Sequence, residues 1–191
     1  MRWETLFADL EAQLERETVA EDQAIEADEE RRRLARIVLR DRLIALAEEC
    51  PLRIRLTDGS VVELVVDRFG KDWLTGVAAQ SAARRRYVVP LAAVTGVITE
   101  PTRAHHAALA GRQAGSRLIE RLDLAVVLRE LCRRRLLVEI ATTAGMRIGT
   151  IDRVASDHLD LAGHDPELPR RADAVRWMEI VPFGGITSIA C

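Results

Sequence analysis

Residues 67–74 read Asp67-Arg68-Phe69-Gly70-Lys71-Asp72-Trp73-Leu74, and residues 152–159 read Asp152-Arg153-Val154-Ala155-Ser156-Asp157-His158-Leu159. The match extends outward, because the stretch 61–97 recurs between residues 146 and 189. Its far end aligns Val88-Val89-Pro90-Leu91 with Ile180-Val181-Pro182-Phe183, and Val94-Thr95-Gly96-Val97 with Ile186-Thr187-Ser188-Ile189. Self-similarity of this kind is typical of a repeated folding unit. We therefore expect both copies to share one fold.

Each copy combines one apolar helix with five short β-type segments. In the first copy the helix stops at Pro51, and a tight hairpin at Asp58-Gly59 follows the first strand. Alternate residues of each strand face one side, and closing the sheet is an economical way to bury that side. The expected fold class is α+β: an N-terminal amphipathic helix followed by two repeats of a helix plus a five-stranded small antiparallel β-barrel.

This interpretation divides the chain into four segments. They are an acidic helical arm at 1–33, a helix and barrel at 34–99, a linker at 100–116, and a second helix and barrel at 117–191.

Composition places the chain among globular proteins. It has 191 residues, 48% of them hydrophobic, and no apolar run approaches the roughly 20 residues needed to span a bilayer. The N-terminus is acidic almost at once, unlike a secretory signal. Three scattered cysteines indicate neither a disulfide framework nor a zinc site. These features predict a cytoplasmic protein that does not insert into membranes.

The N-terminal arm carries a narrow apolar seam in an acidic background. Trp3, Phe7, Leu10 and Leu14 recur at helical spacing, the width of a docking stripe rather than a core face. Residues 1–30 hold 11 acidic and 2 basic side chains, whereas residues 31–191 hold 19 acidic and 26 basic ones. We expect this seam to bind a protein partner or a second copy of the chain. Helix and disorder both remain open for residues 18–33.

One helix followed by five short, bent strands resembles the small β-barrel of the Sm-like or SH3-like type. The likeness is greatest where Gly149-Thr150-Ile151 leads into the segment 157–161. The chain as a whole, including its opening residues 2–11, also resembles actinobacterial proteins labelled as Fis-type transcriptional regulators. The second resemblance implies a C-terminal helix-turn-helix, but residues 186–190 are strand-like.

The residues by which Sm-like proteins bind RNA are replaced in both copies. The family places an asparagine before strand three, where this chain has Trp73 or His158. It places an Arg-Gly or Lys-His pair between strands four and five, where this chain has Pro90-Leu91 or Pro182-Phe183. We therefore expect no RNA binding of the Sm type.

Two further groups of residues are candidate sites. A stacking and phosphate-binding surface for nucleic acid would use Trp73 with Arg84, Arg85 and Arg86. The repeated polar residues favour a structural role at strand bends over a ligand contact made twice. They are Asp67, Arg68, Asp72, Asp152, Arg153 and Asp157.

Residue patterns typical of catalysis are missing from the sequence. His105-His106, His158 and His164 lack the spacing and carboxylate support of a metal site. The chain has no nucleophile elbow and no phosphate-binding glycine loop. We expect no catalytic residues, metal or cofactor. The favoured function is a non-enzymatic protein–protein adaptor or regulatory component, and the alternative is a nucleic-acid-binding regulator that uses the basic body.

Overall fold

The computed structural model describes residues 3–80, 85–109, 118–165 and 175–191. The chain forms two compact units, Met1–Asp41 and Arg42–Cys191. Helix α1 (Trp3–Leu34) lies in the first unit, and α2 (Leu39–Glu49) begins there and continues into the second.

The second unit contains two successive sets of five strands. The first set is β1 (Leu52–Leu56), β2 (Val61–Phe69), β3 (Trp73–Ala78), β4 (Arg86–Pro90) and β5 (Val94–Ile98). After α3 (Pro101–Leu109) and α4 (Leu124–Arg133) come β6 (Leu137–Thr142), β7 (Gly145–Val154), β8 (His158–Gly163), β9 (Trp177–Pro182) and β10 (Ile186–Ala190). We call the two sets, with α2 and α4 respectively, the first and second halves.

All ten strands belong to one open antiparallel sheet in the order β5-β1-β2-β3-β4-β10-β6-β7-β8-β9. The two halves join where β4 pairs with β10, with Val88 opposite Ile189 and Tyr87 opposite Ala190. The prediction of two closed five-stranded barrels is therefore wrong. The hairpin at Asp58-Gly59 does form, with Gly59 at a φ of 83° that favours glycine.

Two hydrophobic cores stabilise the sheet. The first core contains Leu43, Leu46, Leu52, Ile54, Leu56, Leu64, Leu74, Val89 and Ala107. The second core contains Trp73, Val88, Leu124, Leu128, Leu131, Val138, Ile140, Ile151, Leu159, Leu161, Val181, Ile186 and Ile189. Trp73 and Val88 are the members of the second core that come from the first half.

The two cores lie on opposite faces of β3 and β4. Successive strand residues point to opposite faces, so Val88 and Val89 are both buried but enter different cores. Trp73 and Leu74 divide in the same way. Closure of the first half into a barrel is unnecessary because the second half covers this outer face. The prediction failed because the pattern within one strand does not show that another part of the chain covers its outer face, as the second half covers Trp73 and Val88.

The segment expected to be a linker is partly helical. Helix α3 occupies residues 101–109, and it contacts α2 through side chains. The guanidinium of Arg42 donates a hydrogen bond to the carbonyl of Ala104 at 2.9 Å, and Arg103 pairs with Glu49 at 3.1 Å.

A polar contact from the first hairpin also joins the halves. The hydroxyl of Thr187, on β10, donates to the Asp58 carboxylate at 3.0 Å. The same carboxylate accepts the Ser60 amide at 2.9 Å. Burial alone would raise the pKa of Asp58, but the hydrogen bonds from Ser60 and Thr187 outweigh it and lower that pKa.

Candidate protein-binding surfaces

Exposed apolar side chains of β6, β7 and β9 share one face of the sheet, on which the intervening Thr150 and Ala162 are buried. Strand register places Leu137 opposite Thr150, Thr150 opposite Ala162, and Ala162 opposite Met178, so all four share a face. Alternation along the strands adds three more apolar residues to that face. We call the exposed members the outer apolar face: Leu137, Met146, Ile148, Met178 and Ile180.

The most accessible side chains of this surface lie on β7 and β9. Met146 is 56% exposed, Met178 54% and Ile180 68%. Several large apolar side chains exposed on one face of a sheet commonly mark an interaction site. Methionine adds adaptability, since its unbranched side chain can repack against different partners.

Charged groups on the same face are paired with one another. Asp160, opposite Ile180, lies 3.6 Å from Arg153, and Glu139, opposite Ile148, forms an ion pair with Arg85. Pairing reduces the net field around the apolar side chains. The surface is therefore suited to a largely apolar partner rather than to a strongly charged one.

Between the apolar residues, a small polar network is buried. The Thr150 hydroxyl lies 2.8 Å from Nε2 of His164, whose Nδ1 lies 2.9 Å from the carbonyl of Asp165. Both ring nitrogens are therefore engaged within the protein. His164 serves the local fold and does not present a nitrogen for metal binding.

The corresponding surface of the first half is more polar. Val61 and Val65 are exposed, but they lie among Arg53, Arg55 and Glu63. A shallow depression of about 680 Å³ opens at this surface, lined by Arg53, Val61, Glu63, Ala78 and Gln80. Two of these lining residues bond to each other, since Gln80 donates to the Glu63 carboxylate at 2.9 Å.

The N-terminal arm is helical through residue 34, which resolves the open choice for residues 18–33. Leu14 is 68% exposed, and Val19 and Ile25 are exposed too. Ion pairs such as Arg32–Asp28 and Arg33–Glu30 follow helical spacing near its end. The side chains of Trp3, Phe7 and Leu10 lie outside the described residues, so the docking seam stays a prediction.

The residues proposed for nucleic-acid stacking do not form one exposed group. Trp73 is 2% exposed, and its indole N–H donates to the carbonyl of Leu122 at 3.0 Å. Arg85 pairs with Glu139, and Arg86 pairs with Asp67 at 2.5 Å. Arg84 lies outside the described residues. A base has no access to the Trp73 ring in this structure.

The repeated Asp-Arg pairs lie at equivalent irregularities of the sheet. Register shifts at Asp67 in β2 and at Asp152 in β7, as at a β-bulge, where one extra residue bends a strand. The Asp67 carboxylate accepts the Thr75 hydroxyl at 2.7 Å, and Asp152 accepts Arg135 at 2.9 Å. Each carboxylate thus accepts a hydrogen bond from a side chain beside the bend, which fits the expected structural role.

Asp72 and Asp157 occupy matching positions with different partners. Asp72 accepts the backbone N–H of Leu124 at 2.8 Å, in the first turn of α4, where Asp123 is the N-cap. Asp157 is exposed and contacts the ring of His158 at 2.7 Å. Asp72 thus ties the first half to α4, whereas Asp157 makes a local contact.

This difference yields a stability test. We expect Asp72→Ala to lower the free energy of unfolding by about 1 kcal/mol, because a carboxylate in a helix first turn satisfies an otherwise unpaired N–H. Asp157→Ala should change it by less than about 0.5 kcal/mol. Urea unfolding followed by circular dichroism measures both. Equal losses in the two variants would contradict a joining role for Asp72.

Histidines and cysteines do not assemble into a metal site. Among the described residues, no group of three His, Cys, Asp or Glu side chains could hold an ion. His105 and His106 follow each other on α3, and all three cysteines are free. Within the same part of the chain, no helix combines the length and apolar character needed to cross a bilayer.

The outer apolar face was missed at the level of sequence. Its signal was present, since Met146-x-Ile148 and Met178-x-Ile180 each alternate apolar residues on the side opposite to the core. In a closed barrel these residues would lie on the outer surface, where scattered apolar side chains are common. Their significance depends on which strands are neighbours in the sheet.

No family model, curated protein or solved structure matches this chain. The strand at residues 186–190 occupies the C-terminal position in which the Fis-type resemblance implied a helix-turn-helix.

Proposed function

We propose that this protein is a non-enzymatic protein–protein adaptor or regulatory component. The observation that carries the proposal is the outer apolar face, five exposed apolar side chains that share one face of the sheet. Fully burying a side chain of this size contributes on the order of 1.5–3 kcal/mol, part of which offsets the entropy lost on association. A rigid sheet suits this role because its side chains are already positioned before binding.

Helix α1 supplies a second candidate contact. At 1.5 Å per residue, a 32-residue helix is about 48 Å long. Its described apolar side chains, Leu14, Val19 and Ile25, are exposed. Leu14 and Ile25 lie on the same side of the helix, and an apolar stripe on a helix fits a hydrophobic groove on a partner. The acidic residues around the seam would favour a groove with basic edges.

A paired substitution tests the outer apolar face. We expect Met146→Lys with Ile148→Lys to weaken binding of the main cytosolic partner by at least about tenfold, or roughly 1.4 kcal/mol, because two cations would be buried against an apolar surface. The partner is first isolated by affinity capture and identified. Its dissociation constant is then measured with purified components by calorimetry.

The matched control places the same charges on the first half. Val61→Lys with Val65→Lys alters two exposed valines of β2 and should leave binding unchanged. Trp3→Ala with Phe7→Ala tests the α1 seam in the same assay. Partner binding that survives the β7 double variant would overturn the role of the face. Capture that disappears after nuclease treatment would favour the nucleic-acid alternative.

A further inference from the structure

The ten-stranded sheet has two edges, and they are strands from opposite halves. In the described residues, β5 has β1 as its only neighbour, and β9 has only β8. An edge strand presents a row of backbone N–H and C=O groups that can pair with another chain. The pairing between the two halves of the chain indicates which kind of strand each edge can pair with.

The internal join pairs β4 of the first half with β10 of the second. The Arg86 N–H donates to the Cys191 carbonyl at 3.2 Å, and the Cys191 N–H donates to the Arg86 carbonyl at 3.1 Å. Every residue of β10 is buried, and Val88 is 2% exposed. The join is thus both a hydrogen-bonded ladder and a packed apolar contact.

The free edges carry the two strands that match those of the join. By the self-match of the sequence, β9 corresponds to β4, and β5 corresponds to β10. Ile180, at the position of Val88, is 68% exposed, and Pro182 is exposed where Pro90 is buried. Likewise β5 has exposed or half-buried residues at every position, whereas β10 is buried throughout. The strands β9 and β5 thus repeat the two strands of the join, but neither is paired and covered as β4 and β10 are.

Backbone direction matches as well. The Leu91 N–H donates to the Asp72 carbonyl at 2.8 Å, and the Phe183 N–H donates to the Asp157 carbonyl at 2.8 Å. Inward and outward groups alternate in an antiparallel ladder. The N–H and C=O groups of Ile180 therefore point away from β8, just as those of Val88 point away from β3 and toward β10. By the same correspondence with Ile189, the backbone of Val97 points away from β1.

We propose that copies of this chain associate head to tail, with β9 of one copy pairing antiparallel with β5 of the next. The pairing places Ile180 opposite Val97 and Glu179 opposite Ile98 of the neighbour, as Val88 lies opposite Ile189 and Tyr87 opposite Ala190. Such an interface is heterologous, so repetition gives a ring or an open chain of copies. This goes beyond the proposed adaptor function, with which it shares the residues Met178 and Ile180, and it holds whether or not another protein binds.

Two proline substitutions test the pairing. Ile180→Pro and Val97→Pro each remove an outward N–H, and proline is tolerated at such edge positions of a strand. In light scattering coupled to size exclusion, the unmodified protein should be larger than a monomer, and each proline variant should be monomeric. Ile180→Thr keeps the N–H and should remain assembled. Circular dichroism and thermal melts verify that each variant is folded.

Mixing the two proline variants separates head-to-tail pairing from other arrangements. Ile180→Pro retains an intact β5, and Val97→Pro retains an intact β9, so an equal mixture should form a dimer with one join. A monomeric unmodified protein would overturn the proposal. So would a Val97→Pro variant that stays assembled, since β9 would then be pairing with itself. Dissociation of Ile180→Thr as complete as that of Ile180→Pro would overturn it too.

Discussion

Trp73→Ala should lower the free energy of unfolding by about 3–5 kcal/mol, the range for removing a large aromatic side chain from a core. Trp73 is 2% exposed, and it packs with α4 and the second core although it belongs to β3 of the first half. Its loss would leave a cavity where the halves meet. It would also remove the hydrogen bond from the indole to the carbonyl of Leu122.

The matched control is His158→Ala at the equivalent position of the second half. His158 is half-exposed and contacts Asp157, so the expected change is less than about 0.5 kcal/mol. Urea unfolding followed by far-ultraviolet circular dichroism compares the two. Trp73→Phe should fall between them, because the ring fills most of the space and Leu122 keeps its bond from the Lys71 amide. A Trp73→Ala variant within about 1 kcal/mol of the parent would contradict the shared core.

Gly149→Ala is the second change expected to be costly, at about 1–3 kcal/mol or more. A Cβ built at Gly149 would overlap the backbone carbonyl of Ala162 on the neighbouring strand β8. Backbone of a paired strand cannot move aside as a flexible side chain does. Separation of β7 from β8 would also disturb the outer apolar face, so partner binding should weaken together with stability.

Gly184→Ala provides the control for this prediction. A Cβ at Gly184 meets nothing within 4 Å, so the free energy of unfolding should change by less than about 0.5 kcal/mol. Thermal and urea unfolding measure both variants. If Gly149→Ala were as stable as Gly184→Ala, the close approach of β7 and β8 would not be a constraint on the fold.

Local features of the fold followed from the sequence, whereas the relation between halves did not. Strand alternation and turn residues predicted five strands in each half and the Asp58-Gly59 hairpin, because these depend on neighbours in the chain. The open sheet depends on which strands meet across the chain. Val88 and Val89 are equally apolar. The sequence therefore does not distinguish a closed barrel, which has one interior core, from an open sheet with a core on each face.

The same limit applies to the candidate surfaces. Trp73 was a plausible stacking residue until α4 and Leu122 covered it. The alternation of Met178 and Ile180 did not show that Ile180 is exposed, because its counterpart Val88 in the first half is buried. Exposure at such positions depends on what lies beyond the edge of the sheet, and side-chain type alone does not specify it.

The position of β10 determines when this sheet can be completed during synthesis. This strand, residues 186–190, lies between β4 and β6 in the middle of the sheet, although it is the last of the ten to be made. Until it emerges from the ribosome, β4 is an unpaired edge strand, and Trp73 and Val88 are not yet covered by the second core. Nascent chains at that stage expose both an apolar surface and an unpaired ladder, the combination that attracts chaperones and promotes misassembly. The first half therefore reaches its final packing only after β10 has inserted between β4 and β6.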